Sequence, residues 1–491
     1  LSVPQPHSAK KSGSPAERAR VAWGSYEKSV PGFTCSDTSF NNYWWYRWYG
    51  IRLNSIPAGL GQFQHRSVCE GIGYFHQPIS YSAMCHARET RWANDASWSY
   101  GVLGTFLDRV SPEGIIPGRV YLDHLTEPDF YHADWAGALQ DVAAVHPDPD
   151  RVAGFIAPLS RYAEWLCRTR DREGSGMIDV IDQYETGQEY MSRYQAVDPS
   201  ADRYGWENRL RLKGIDVTVY AYRLFQLLAG SVSEKKARLT WTERTERTRR
   251  AILDGMWDPA HEMFFDVDPA TGGRTGVKAA VCFYPYLTDL VDASHIAGLE
   301  RHLLSPAEFW TPYPAPSSSV DDPLFSPDAE WKGKRHSCPW NGRVWPMTNS
   351  HLIDALARIV RRHRPDWAHH LVRFIRQFIR MMSFDGDAAR PNCFEHYHPV
   401  TGRGSLYRGI DDYQHSWVND LLVRHVAGLL PRGEHGIVVD PLPFESSVSL
   451  TGARVAGHAV DVQVTSSGYA VRIDGRGAGR GKIGSAREFS W

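Results

Sequence analysis

Apolar residues recur at helical spacing along most of this chain. Between Arg151 and Arg170, the side chains of Val152, Phe155, Ile156, Leu159, Tyr162 and Leu166 share one face, which predicts an amphipathic helix. Ile215 to Ala229 repeats the pattern with Val219, Tyr222 and Leu228. The spacing predicts further helices over 245–257, 351–363, 367–382 and 416–429. Glu234 to Arg250 is dense in charge and reads as one solvated helix face. Strand-like alternation is scarce from about Val21 to Leu430, so this region is expected to be all-α.

The last sixty or so residues change period. Val460, Val462 and Val464 alternate with Asp461 and Gln463, then Thr465-Ser466-Ser467-Gly468 supplies a turn, and Tyr469, Val471 and Ile473 alternate again. With Ile437-Val438-Val439 ahead of them, these segments predict a small antiparallel sheet. The expected organisation is a loose polar arm over 1–20, a helical domain over 21–430 and a C-terminal β module over 431–491. The boundary falls at Pro431-Arg432-Gly433.

Long polar connections interrupt the helices. Ser305 to Lys334 carries Pro306, Pro312, Pro314, Pro316, Pro323 and Pro327, and others fall at 109–131, 172–213 and 384–413. Loops of that length inside a domain are usually functional. A helical toroid whose loops gather at one end would bring them over a single cleft.

Composition narrows the choice of partner. The chain has 491 residues, with 55 Lys+Arg against 56 Asp+Glu and a net charge of −1. So balanced a charge offers no field for a phosphate backbone, which argues against nucleic acid. No apolar run approaches the ~18–20 residues that span a bilayer, so no membrane partner is expected. The 7 cysteines are scattered without a CxxC pair, which points to buried thiols and favours a cytoplasmic setting. The chain starts at Leu1 rather than Met, which leaves targeting unread. Aromatic residues are abundant, with 18 Trp, 23 Tyr and 19 Phe. Rings fill cores by default, and they become informative only where they stand beside carboxylates in loops.

Three segments meet that condition. Tyr184-Glu185-Thr186-Gly187-Gln188-Glu189-Tyr190-Met191-Ser192-Arg193-Tyr194 places two carboxylates and an arginine among tyrosines. Carboxyls in such surroundings gain the raised pKa of a general acid, although the same residues equally describe a surface loop with an ion pair to Arg193. His336 to Asn349 contains Trp340, Asn341, Arg343 and Trp345 ahead of a helix. That is either a platform for the apolar face of a sugar or Trp-Pro packing at a helix entry. Asn392 to Gly402, followed by Asp411 to Trp417, sets Glu395 in a loop with His396, Tyr397 and His398. His396 and His398 alone make a weak metal motif and read as loop histidines, so no metal or other cofactor is implied. Two carboxylate loops and an aromatic platform suit glycoside hydrolysis, where one carboxyl protonates the leaving oxygen and the other handles water.

At these segments the sequence resembles (α/α)6-barrel glycoside hydrolases of the trehalase, processing α-glucosidase and mannosylglycerate-hydrolase-like group, over about residues 30–445. Trp340-Asn341-Gly342-Arg343-Val344-Trp345-Pro346 is similar to that group's W-(R/N)-G-P-x-W-P. Glu395-His396-Tyr397-His398-Pro399-Val400-Thr401-Gly402 resembles its E-N-x-x-P-x-T-G, the base segment. Asp412-Tyr413-Gln414-His415-Ser416 resembles the following D-Y-N-H-S. The loop at 185–194 resembles E-S-G-x-D-x-S-x-R-W, with Glu189 where the group carries an acidic Asp. Arg343 replaces the usual Pro and His396 the usual Asn, departures that bear on which sugar is read.

The resemblance implies a mainly α (α/α)6 toroid with a small C-terminal antiparallel β module. It implies an inverting glycosidase with Glu189 as acid and Glu395 as base, acting on a carbohydrate, with an exo-acting α-glycosidase as the group-level expectation. Trp340 and Trp345 would stack on or wall the sugar. Arg193, Asn341, Asp412 and His415 would bind hydroxyls or orient the carboxylates, with Tyr194, Asp134 and Trp135 as further contacts. Rival readings are an (α/α)6 lyase or epimerase, a furanosidase, and a degenerate sugar-binding protein. A terpene-cyclase-like barrel, suggested by Asp321-Asp322 and Asp411-Asp412, lacks a DDxxD pattern.

Overall fold

The computed structural model describes residues 14–71, 75–124, 130–201, 210–405 and 412–491. Six helical segments pack edge to edge in a closed ring: Ser80–Thr90, Trp135–Val145, Ile215–Ser231, the 3-10 segment Ala280–Leu287, Pro346–Arg362, and Val418–Leu421 with its continuation to Val426. Each touches the next, and the last returns to the first. Outside them stand Thr38–Leu53, Ser97–Leu107, Pro149–Arg170, Lys235–Arg250, Ala293–Gly298 and Ala368–Met381. This is an (α/α)6 toroid.

The inner segments are buried nearly all round, which explains their weak periodicity. Every residue of Ser80–Thr90 is buried, Arg88 and Glu89 included. Those charges are paired: Arg88 reaches Asp134 at 2.6 Å and Asp141 at 2.7 Å. Arg91 reaches Asp420 at 2.7 Å, and Arg424 bridges Asp420 and Asp354, both at 2.6 Å. Arg47, from the outer helix Thr38–Leu53, meets Glu89 at 2.8 Å. The chain of alternating charges joins one inner helix to the next, as buried charge requires. In the same outer helix Trp44 and Trp48 are core residues.

Connections alternate in length. Inner helices pass to outer ones through short links, such as 146–148 and 232–234. Outer helices return to inner ones through the long loops, so these all converge on the N-terminal end of the inner ring. Backbone hydrogen bonds lock them together there. Trp340 N–H donates to Glu189 O at 3.0 Å, Ser317 N–H to Arg343 O at 2.9 Å, and Val344 and Tyr397 exchange bonds at 2.9 Å.

Helix ends differ from the spacing in places. The helix expected over 245–257 begins at Lys235, where Glu234 caps Ala237 N–H at 3.2 Å, and continues as a wider turn to Met256. Its charged residues are good helix formers that an apolar pattern passes over. The segment expected over 416–429 stops at Val426, because Gly428 turns left-handed (φ 78°) and Leu429 enters a strand. Part of the expected arm is helical: Pro15–Glu27 opens with a capping box between Ser14 and Glu17.

The hairpin of the β module forms as the alternation predicts, but Ile437–Val439, expected in the same sheet, joins a separate one. His458–Val464 pairs with Gly468–Ile473 in register Val462↔Val471, within a five-stranded antiparallel sheet. One of its two edge strands is Gly32–Cys35, which pairs with Val448–Val455 from the far end of the sequence. Leu429–Pro431, at the expected boundary, pairs with Ile437–Val439 in a second sheet. Each of the seven cysteines is free, and no described helix is long and apolar enough to cross a membrane.

Candidate active site

Glu189 sits in a tightly folded loop. Asp182 accepts from Tyr184 N–H at 2.9 Å and starts a 3-10 turn, which Gly187 closes in the left-handed conformation at φ 64°. A Cβ at Gly187 would stand 2.8 Å from the ring of Tyr81. Three residues on, Tyr190 also takes a positive φ of 58°, uncommon for a bulky side chain, while its N–H is held by Gln183 Oε1 at 3.0 Å. Glu189 lies between these two left-handed residues. Strain of this kind gathers at functional sites.

Glu395 lies on a loop pinned from both sides. Phe394 N–H donates to the Tyr397 hydroxyl at 2.6 Å, and that hydroxyl donates to Asn392 Oδ1 at 2.8 Å. Tyr413 N–H donates to Cys393 O at 2.7 Å, which draws the following segment alongside.

A third carboxyl joins the pair. Glu70 is buried, and its Oε1 accepts from the Tyr413 hydroxyl. Gln414 N–H donates to Glu70 O at 2.5 Å. Burial, aided by the charges of Glu70 and Asp182, pushes the Glu189 carboxyl up to about 7. Burial, with Glu70 and Glu189, pushes Glu395 up to about 8 against a lowering hydrogen bond from Tyr413. Burial raises Glu70 as well. The Cys338 thiol is raised by burial and then by both Glu189 and Glu395, so it lies within the field of each. Like charges crowded together retain protons, which lets a carboxyl act as an acid near neutral pH.

The other expected contacts divide by placement. Trp340 and Trp345 lie face to face, with ring centroids 3.7 Å apart and planes 9° from parallel. At 1% and 2% exposed they form a packed wall rather than an open platform, with both indole N–H groups unpartnered. His415 packs 6.1 Å from Trp345 and 4.5 Å from Tyr413, and burial holds its imidazole far below the ordinary pKa. Asp412 is half-buried and accepts from Asn54 Nδ2 at 3.3 Å.

The remaining expected contacts have internal partners in place of an open face. Arg193 is 0% exposed and bonds Asp216 (3.0 and 2.9 Å) and Asp266 (2.8 and 2.8 Å) through both edges of its guanidinium. Asp134 caps Gly137 N–H at 3.0 Å and pairs with Arg88 and Arg223. Trp135 packs on Phe106 in the core, and the Tyr194 hydroxyl bonds Thr186 at 2.6 Å. Asn341 donates to the carbonyls of Leu324 and Glu330, at 2.7 Å each, and so ties down the proline-rich loop. Glu185 pairs with Arg170, which with His132 holds its pKa down despite burial. In the aspartate pairs, Asp321 reaches Lys278 and Asp322 accepts from Ser192 at 2.7 Å, while Asp411 lies outside the described residues.

Glu70 and Tyr413 were not among the expected site residues. Tyr413 stood inside a quoted motif, but Glu70 has no local signal beyond lying in a glycine-containing loop before a buried helix. Among the described residues, no group of three or more His, Cys, Asp or Glu is placed to hold a metal ion. His396 accepts from Arg343 Nε at 2.9 Å and its Nε2 lies 2.9 Å from Ser337 O, while His398 Nδ1 accepts from Val400 N–H at 3.0 Å. Both are hydrogen-bonding loop histidines.

The fold is shared with known proteins. A GH63 mannosylglycerate hydrolase from Thermus thermophilus, solved with Tris and D-glycerate, superposes with a TM-score of 0.60 at 17% identity, covering 77% of this chain and 98% of that one. A structure named sialidase superposes with a TM-score of 0.77 at 18% identity, covering 95% of this chain and 42% of that one. A GH78 rhamnosidase of a Bacillus species gives 0.61 at 13% identity, over 91% of this chain and 41% of its own. An uncharacterized protein of Borreliella burgdorferi is 24% identical over 247 residues, 49% of this chain and 47% of that protein. The chain thus spans about half the length of the curated relative it matches. The model for the mannosylglycerate hydrolase MGH1-like glycoside hydrolase domain matches residues 74–416. That match takes in the Glu189 loop, the stacked tryptophans and the Glu395 loop, and the chain belongs to the MGH1-like glycoside hydrolase family.

Proposed function

We propose that this protein hydrolyses an O-glycosidic bond with inversion, with Glu189 as general acid and Glu395 as general base. The observation that carries the reading is a pair of loop carboxyls with raised pKa, the charge of Glu189 acting on Glu395, beside the Trp340–Trp345 wall. Glu189 gives its proton to the glycosidic oxygen as the bond breaks. In the fraction of molecules whose proton sits on Glu189 and not on Glu395, Glu395 takes a proton from the water that attacks the anomeric carbon from the opposite side. At the end of the cycle Glu395 holds the proton and Glu189 has lost one, and exchange with solvent resets them.

Glu70 adds negative charge to the site, and Tyr413, whose hydroxyl donates to Glu70, stands beside Glu395. The reading extends to exo action on an α-glycoside, the group-level expectation.

A panel of nitrophenyl glycosides (α-glucosyl, α-mannosyl, α- and β-arabinofuranosyl) tests the assignment in wild type, Glu189→Gln and Glu395→Gln. Turnover of one sugar, reduced by at least about a hundredfold in each variant, is expected. An activated leaving group needs less acid help, so the Glu189→Gln deficit should widen on an unactivated substrate. Turnover that survives in both variants would remove the two-carboxylate mechanism.

A further inference from the structure

A cavity lies beside the loop that carries Glu395. It holds about 700 Å³ between the proline-rich loop and the loop that carries Glu395. Arg335, His336, Arg343, His396, His398 and Arg403 line it, and Asp328 is its one carboxylate. His396 follows Glu395 directly, and Ser337, also in the lining, precedes the Cys338 thiol that senses both candidate catalytic carboxyls.

Arg343 is the unusual member. It is 6% exposed, and its guanidinium bonds only neutral acceptors: His396 Nδ1 at 2.9 Å, Pro327 O at 2.7 Å and Arg403 O at 3.2 Å. Of five N–H groups, two remain, one on each terminal nitrogen. Among the described residues, no carboxylate lies within 4.0 Å of a guanidinium nitrogen of Arg335, Arg343 or Arg403; Asp328, 73% exposed, is nearest His398 at 3.6 Å. Other buried guanidiniums of this chain do have counter-ions: Arg47 with Glu89, Arg88 with Asp134, Arg193 with Asp216 and Asp266. A buried charge left unpaired is costly and calls for a partner.

Burial and the nearby Arg335 push Arg343 down to about 10 in spite of Asp328, so it is still a cation at neutral pH. The imidazoles are held neutral. Burial and then Arg343 lower His396 to about 3 and also lower His398, and burial with Lys334 lowers His336. The cavity therefore carries arginine charge, flanked by neutral hydrogen-bonding rings.

We propose that this cavity is an anion-binding subsite, in which the two free N–H groups of Arg343 grip two oxygens of a carboxylate or phosphate group, with Arg335 and Arg403 closing over it. Paired N–H groups on one plane match the geometry of both anions. Resting on the reading of the neighbouring cleft as a hydrolase site, the ligand is an acidic saccharide, either a sugar acid or a sugar phosphate.

Isothermal titration calorimetry of the full chain with inorganic phosphate, glucuronate and neutral methyl glucoside tests this without turnover. Phosphate and glucuronate should bind with affinity that falls as salt rises, and the stronger of the two names the anion. Arg343→Met should abolish that binding. Arg335→Met and Arg403→Met should each weaken it about tenfold. If Arg343→Met does not fold by circular dichroism, these two variants carry the test, because their side chains have no ion-pair partner to lose. Anion binding without turnover of any glycoside would keep the subsite and remove the hydrolase reading. Glu189-dependent turnover with no anion heat at millimolar concentration, or anion binding untouched by all three substitutions, would overturn the subsite.

Discussion

The phenolic hydroxyl of Tyr413 donates to a carboxylate oxygen of Glu70, a residue 343 positions earlier in the chain, and lies within hydrogen-bonding reach of Glu395. One side chain thus links a carboxyl outside the candidate catalytic pair to the proposed base. Glu70 in turn raises both Glu189 and Glu395 by like charge. Protons in the site belong to the cluster, and its titration is shared.

The pH profile should show this. Turnover needs one carboxyl protonated and one ionised, so kcat/KM should be bell-shaped with its top between about 7 and about 8. Glu70→Gln removes a negative neighbour and should move both limbs toward acid. Unmoved limbs in a folded Glu70→Gln variant would show that Glu70 is not electrically coupled to the pair.

The same shift has a cost in stability, with a definite sign. The Glu189 carboxyl is raised from 4.5 in the unfolded chain to about 7 in the fold, so the folded state holds the proton more tightly. Stability is then fully retained below about 4.5, declines as pH rises, and levels off above about 7. Glu189→Gln should therefore unfold later than wild type at pH ~8, by on the order of 1 kcal/mol once solvent in the cleft is allowed for. The difference should vanish toward pH ~4. Urea unfolding at the two pH values measures it, and a Glu189→Gln chain that is less stable at the higher pH would contradict the shift.

Arg193 should behave as a structural residue. Arg193→Met leaves Asp216 and Asp266 buried together without a cation, which should cost about 3–5 kcal/mol. The expected result is a large fall in the urea midpoint. Lost turnover with an unchanged midpoint would instead place the guanidinium on the ligand.

Gly187 sets the direction of the acid loop. Gly187→Ala puts a methyl 2.8 Å from the Tyr81 ring and strains a left-handed residue, which costs about 1–2 kcal/mol locally. Because Glu189 is two residues away, kcat should fall on the order of tenfold to a hundredfold while the chain still folds. Wild-type kcat in this variant would show that the loop tolerates rearrangement.

How far the sequence reveals this depends on the range of the interaction. Periods are local, so the helix Ile215–Ser231 and the hairpin around Ser466 are legible from a few residues each. The inner helix Ser80–Thr90 is not, because it has no solvent face to set a period and its charges are paired inside. The strand Gly32–Cys35 finds its partner at Val448–Val455, a pairing no nearby pattern announces. Site residues divide the same way. Glu189, Glu395 and the tryptophans stand out as carboxylates and rings in loops. Arg193 and Asp134 look like ligand contacts until Asp216, Asp266, Arg88 and Arg223 arrive through the fold. Glu70 enters the site through Tyr413 and Gln414, more than 340 positions away in the chain.

The measurement that bears most directly on the central claim is the configuration of the first-formed sugar. Proton NMR of the anomeric region, recorded within minutes of adding enzyme to the glycoside that the panel identifies, reads it before mutarotation. Opposed acid and base carboxyls predict a product of inverted configuration, absent from Glu395→Gln. A first product of retained configuration would mean a covalent glycosyl intermediate and would contradict the roles given to Glu189 and Glu395.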